Sequence, residues 1–156
     1  LAMIVQYYVC GLRYTPFTAI LIFLGFYMVT TVQALAMGVV ISACTTSIQI
    51  AFTLGTFYSI IVGLFNGSTV NTQEITWVLR WIRYISPLFY LLTGVSQNEF
   101  NGQILDGQPG EYWLGLYALN VVSVIWCAGA LLIITVVSIV AASFFFRYKT
   151  HPVLHL

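Results

Sequence analysis

From Phe17 to Ile75 the chain carries one charged side chain, Glu74, and no other feature narrows its possible folds as much. A soluble domain needs charge along every exposed element, about 25% of residues overall. Here 6% of the 156 residues are charged and 60% are hydrophobic, at a mean hydropathy of +0.96. No water-facing shell can be assembled from such residues, so lipid supplies most of the exterior. The expected fold is all-α and integral to a membrane: a polytopic helical bundle with short re-entrant helices before the last span.

The charge-free stretch is too long for one helix. At 1.5 Å per residue, a helix from Phe17 to Phe65 would be about 73 Å long, more than twice the hydrocarbon thickness of ~30 Å. The polar quartet Cys44-Thr45-Thr46-Ser47 is the expected break, giving spans over 17–43 and 48–65. Asn66-Gly67-Ser68-Thr69 is a turn cluster that ends the second. The first dozen residues, 1–12, are apolar and read as the end of an earlier span, so the sequence is expected to be a piece of a longer chain. They show neither the basic start nor the cleavage site of a signal peptide.

Between residues 75 and 99 the pattern changes. Trp77, Trp81 and Tyr84 recur at helical spacing with Arg80 and Arg83 between them, and Pro87 interrupts the series. Leu88 to Val95 is apolar and too short to cross. Two short helices dipping into the membrane interface suit this stretch, since helix breaks are tolerated there when protein covers them. Residues 101–112 form a polar loop with Asp106, Pro109 and Glu111. The last span is expected over 113–146, where Gly129-Ala130 and Ala141-Ala142 permit close helix packing. Arg147 and Lys149 open the tail, residues 147–156, which the positive-inside rule makes cytoplasmic and the polar loop external. Arg13, Arg80 and Arg83 count against that orientation, although the last two sit in a partly embedded helix rather than a loop.

Composition also excludes functions. With five basic and four acidic residues there is no basic surface to follow a phosphate backbone, so nucleic acid is not an expected partner. Cys10, Cys44 and Cys127 lie in apolar runs without metal-ligand or disulfide spacing and read as small packing residues. His151 and His155 lack a third ligand nearby, so no metal site is expected. Gln33 and Gln49 are polar residues within spans and are expected to bond across helices.

The stretch from Phe65 to Gly102, FNGSTVNTQEITWVLRWIRYISPLFYLLTGVSQNEFNG, resembles the white/ABCG subfamily of ABC transporters. Its aromatic–small–Gly step is Phe65-Asn66-Gly67, its Trp-x-x-Tyr-hydrophobic-Ser element runs from Trp81 to Ser86, and Asn98-Glu99-Phe100 precedes Gly102. Upstream, YYVCGLRYTPF (Tyr7–Phe17) resembles the end of the third helix and its following loop. The resemblance implies the carboxy-terminal part of an ABC-2 type transmembrane domain, with a cytoplasmic tail and an external face between the fifth and sixth helices. It implies partners too: a nucleotide-binding domain of the same parent chain, a second transporter half, and membrane lipid. ATP and Mg would belong to that other domain, since no Walker A pattern occurs here, and this chain is expected to bind no cofactor and to catalyse nothing by itself. The plasma membrane is the family's usual location.

The family lines a central cavity with its second and fifth helices. By that resemblance the lining candidates are Phe52, Thr53, Thr56, Ile60 and Gly63, which share one helix face by their spacing of three to four. A Thr hydroxyl in an apolar groove can bond one polar group of an amphipathic ligand. The plainer reading is that Thr56 bonds its own backbone and the stripe packs on a neighbouring helix. Ser68 and Thr69, at the external gate, stand where multidrug members of the family carry bulky leucines. Glu99 is placed to pair with Arg80 or Arg83 and hold the re-entrant helices. Asn66-Gly67-Ser68 matches a glycosylation sequon, but its tight turn at the membrane argues against modification.

The function expected is therefore ATP-driven movement of lipid, sterol or other amphipathic substrates. An ion channel or ion-coupled carrier is the first alternative, disfavoured because no span contains the ionisable residue that lines such a path. A membrane scaffold that transports nothing is the second.

Overall fold

The computed structural model describes residues 17–67, 81–105, 107–120 and 122–150, with Val9 and Trp77 as isolated positions. Two long helices dominate it. Helix α1 (Phe17–Cys44) and helix α6 (Val124–Thr150) have 28 and 27 residues, about 40 Å each, and both are long and apolar enough to cross a membrane. Helix α2 (Ile48–Leu64), with 17 residues, is at the short end of that range. Helices α3 (Ile82–Ile85) and α4 (Pro87–Phe100), a two-residue hairpin of β1 (Ile104–Leu105) and β2 (Gln108–Pro109), and helix α5 (Gly110–Leu116) lie between α2 and α6.

The burial pattern is that of a lipid-facing bundle. Along α1 a single seam is buried, Ala19, Phe23, Phe26, Thr30, Gln33 and Ala36, at the three-to-four spacing of one helix face. Leu21, Met28, Val32, Leu35 and Val39 on its other sides are exposed. A helix apolar all round has its outer faces in lipid rather than water. The seam meets α4 and α6 around a core of Phe26, Phe89, Tyr90, Cys127 and Leu131. Cys127 is fully buried, Cys44 is exposed, and Cys10 lies outside the described residues.

Hydroxyl groups make the α1–α2 turn without Gly or Pro. Thr45 Oγ1 donates to the Ile41 carbonyl at 3.0 Å, and Ser47 caps α2 by accepting from the Ile50 amide at 3.3 Å. Such a cap is worth ~1 kcal/mol, by meeting one of the amides a helix start leaves open.

Pro87 sets the next break. Ser86, the residue before it, is held extended (φ −73°, ψ 115°), as steric conflict with the proline ring requires, and Pro87 starts α4, where no amide is needed. Ser86 Oγ donates to the Val62 carbonyl at 3.3 Å, which ties this break to the end of α2. The re-entrant stretch begins outside the described residues, at 75–76 and 78–80.

One expectation is corrected. The segment 113–146 does not form one helix: α5 ends at Leu116, a turn covers Tyr117–Asn120, and α6 starts at Val124. Ala118 takes a positive φ of 54°, and the Leu119 amide turns back to the Leu114 carbonyl at 2.8 Å. The cause lies on another helix. Gln97 Nε2 donates to the carbonyls of Leu119 at 2.5 Å and Val122 at 2.6 Å, satisfying groups that the break would leave bare. The polar loop expected over 101–112 contains the hairpin and the first residues of α5, and its Asp106 is outside the described residues.

Candidate functional site

Helix α2 presents two unlike faces. Phe52, Thr53, Thr56 and Ile60 are exposed, Phe52 by 78%, and Gly63 is half-buried. They fall on one side of the helix, and Ile50, Leu54, Phe57 and Leu64 beyond that side are exposed as well. The opposite side, with Tyr58, Ile61 and Val62, turns toward α1 and α6. Among the described residues, only α1 approaches this face, at its Phe52–Thr56 edge.

The hydroxyls bond as the plainer reading expects. Thr56 Oγ1 donates to the Phe52 carbonyl at 2.9 Å, Thr53 Oγ1 to Gln49 at 3.0 Å, and Ser59 Oγ to Gly55 at 2.9 Å. Each hydroxyl proton is thus committed to the helix. The oxygens keep lone pairs, so the stripe accepts hydrogen bonds from a ligand while its apolar groups hold the ligand's body. A shallow cavity of about 490 Å³ lies at the edge of this face, between α1 and α2, and Gly38, Phe52, Gly55 and Thr56 are among its walls.

At the end of α2 the Phe65 amide donates to Ile61 at 3.2 Å, and Gly67 turns the chain with φ +88° between Phe89 and Leu119. That backbone conformation favours glycine. Ser68 and Thr69, the gate positions, and Arg80 lie outside the described residues.

Arg83 is only 6% exposed and is enclosed by aromatic groups. Its Nη2 donates to the Tyr84 hydroxyl at 2.7 Å, and its guanidinium carbon stands 4.7 Å from the Tyr84 ring centre and 5.6 Å from that of Phe89. Stacking on ring faces stabilises a desolvated guanidinium by up to ~2 kcal/mol. At Arg83 the fold supplies a cage of rings, which Tyr90 braces by donating to the Tyr84 carbonyl at 2.9 Å; Arg80, the other partner expected for Glu99, lies outside the described residues.

Gln33 bonds across helices: its Nε2 donates to the Tyr58 hydroxyl at 3.3 Å and joins α1 to α2. Gln49 is exposed on α2. Two anchors went unread in the sequence. Gln97 holds the α5–α6 turn, and Asn98 Nδ2 donates to the Ala19 carbonyl at 3.0 Å near the start of α1. The one available signal was an amide side chain at each position at the end of an apolar helix. Among the described residues no group of His, Cys, Asp and Glu side chains is arranged to hold a metal ion.

This is a helical membrane domain whose exposed helix face offers apolar contact and a few hydrogen-bond acceptors. It belongs to the ABC-2 type transporter family, whose pattern matches residues 1–100. Over 103 residues, 64% of this chain, it is 29% identical to the ABC-type transporter eriD of Hericium erinaceus, and that match spans 7% of the relative. Over 72 residues, 46% of this chain, it is 33% identical to multidrug resistance protein CDR2 of Candida albicans, spanning 5% of it. The chain thus corresponds to a small part of the length of these relatives.

Proposed function

We propose that this chain forms the carboxy-terminal part of the membrane domain of an ATP-driven transporter of the ABCG type, and that the outer face of α2 lines its substrate path. The observation that supports this reading is the stripe Phe52, Thr53, Thr56 and Ile60, exposed among the described residues and continued by the half-buried Gly63, with the mixed apolar and hydroxyl character that suits an amphipathic molecule. Substrates are lipids, sterols or other amphipaths. A second transporter half would close the path from the other side, and a nucleotide-binding domain elsewhere in the parent chain would supply ATP hydrolysis. The plasma membrane is the proposed location, with the tail after Arg147 cytoplasmic.

The face is tested by cysteine protection in the full-length protein reconstituted in liposomes. Cysteines replacing Thr53, Thr56 or Ile60 are expected to react slowly with a thiol reagent when a stimulating amphipath is present, and several-fold faster without it. A cysteine at the lipid-facing Met28 is expected to react equally in both conditions. Equal reactivity at all four positions would count against a substrate path along α2.

A further inference from the structure

On the side of the α1–α6 pair turned away from α2, the two long helices leave an open apolar groove between them. It holds two hollows, of about 440 and 370 Å³, one after the other along the helices. Ile22, Gly25 and Val29 of α1 line the first, with Ile125, Ala128 and Leu132 of α6. Val32, Ala36 and Val39 line the second, with Ile139, Ala142 and Phe146. No residue of α2 reaches either hollow, because α2 sits across the pair, beside Gln33, Met37, Ile133 and Val137.

The groove has the length of a membrane helix. Ile22 and Val39 are 17 residues apart on α1. At 1.5 Å per residue that is about 26 Å, close to the ~30 Å of the hydrocarbon layer. Its walls include the small residues Gly25, Ala36, Ala128 and Ala142. Glycine weakens a helix interior relative to alanine. Yet a Cβ at Gly25 would meet no atom within 4 Å, so no described residue makes use of its smallness. Small residues on a membrane helix let a second backbone come close.

Connectivity says which helix that is. The apolar residues 1–12, expected to end an earlier span, are joined to α1 at Phe17 by only four residues, 13–16. So short a connection makes two helices antiparallel neighbours. Of the flanks of α1, one meets α2 and the buried seam meets α4 and α6, which leaves the groove. It opens at Ile22, little more than one turn after Phe17, so a helix arriving from residue 12 meets it at that end.

We propose that the span ending at residue 12 seats in this groove, antiparallel to α1 and α6. Val9, the one described residue of that segment, is helical and 80% exposed, and it faces lipid. Ile4, Tyr7 and Gly11 fall on the opposite side by helical spacing and face the groove. Residues 1–12 fill the first hollow. On the reading that this chain belongs to a longer transporter, residues upstream of Leu1 carry the same helix on to the second. The span then backs the α1–α6 pair and does not line the path along Phe52, Thr56 and Ile60.

The test is photo-crosslinking in the full-length protein in nanodiscs, with p-benzoylphenylalanine introduced at position 125 on the groove wall. Position 133, on the other side of α6, serves as the comparison. Mass spectrometry is expected to find adducts from 125 within residues 1–12, and none there from 133. Adducts from 125 confined to lipid, to a differently tagged second copy or to another span overturn the proposal. Gly25→Leu supplies a second readout: it should lower the melting temperature by several degrees, because the added side chain meets the seated helix. A groove filled by lipid would accept leucine, the better helix former, with no loss of stability, and that result also overturns the proposal. Both readouts report position and stability rather than transport, so they stand apart from whether the α2 face carries substrate.

Discussion

Gly94 lies directly against the ring of Phe26: a Cβ at position 94 would stand 2.6 Å from Cε1 and 2.9 Å from Cε2. Phe26 is itself buried in the core with Phe89 and Leu131. The contact sets how closely α4 approaches α1.

Gly94→Ala is therefore expected to destabilise the domain by about 1–3 kcal/mol, the usual cost of overpacking a filled core. A lowered melting temperature of the detergent-solubilised protein would register it. Phe26→Leu introduced with Gly94→Ala should recover part of the loss, because the smaller side chain vacates the contested space.

Gln97→Leu removes the donor that serves the carbonyls of Leu119 and Val122. The Leu119 carbonyl left bare costs about 1–3 kcal/mol, while Val122 keeps the Cys127 thiol as a donor at 3.8 Å, and the turn between α5 and α6 should loosen first. Limited proteolysis of the full-length protein in nanodiscs is expected to cut between Leu116 and Val124 in the variant and to spare the parent.

Arg83→Lys keeps the charge and loses the flat guanidinium that stacks on Tyr84 and Phe89. A loss of about 1–2 kcal/mol is expected, visible as a lower melting temperature. A variant as stable as the parent would show that charge alone, and not stacking, holds this residue.

The bond from Gln33 to Tyr58 is suited to a double-mutant cycle. Gln33→Leu, Tyr58→Phe and the pair together should give a coupling of about 0.6 kcal/mol, typical of hydrogen bonds between membrane helices. Zero coupling would mean that the two side chains act independently.

How much of this was legible in the sequence depended on whether the cause was local. The ends of α1 and α2 fall where hydroxyl residues stand at 45–47 and where Asn66-Gly67 follows Phe65, because caps and turns are made by the residues that stand there. Pro87 likewise announces the break at Ser86 through its own ring. The division of the last apolar stretch was not legible, since no charge or proline marks it between 113 and 146 and the amide that stabilises the turn comes from Gln97, on a different helix. The closeness of Gly94 to Phe26 was hidden for the same reason. For the candidate site, spacing alone placed Phe52, Thr56 and Ile60 on one face. Whether that face is covered depends on every other element. Charge suggested a carboxylate for Arg83, whereas the fold supplied aromatic rings, whose attraction for a cation no charge count reveals.

The central claim is that the outer face of α2 lines the path of an ATP-driven transporter. Its most direct test is vanadate-sensitive ATPase activity of the full-length protein in liposomes, with and without amphipathic compounds, compared with Thr56→Trp. The account predicts that an amphipath stimulates hydrolysis in the parent and that Thr56→Trp loses the stimulation while keeping the unstimulated rate. Equal stimulation of both proteins would contradict the α2 path, and well-folded parent protein with no ATPase activity would contradict the transporter itself.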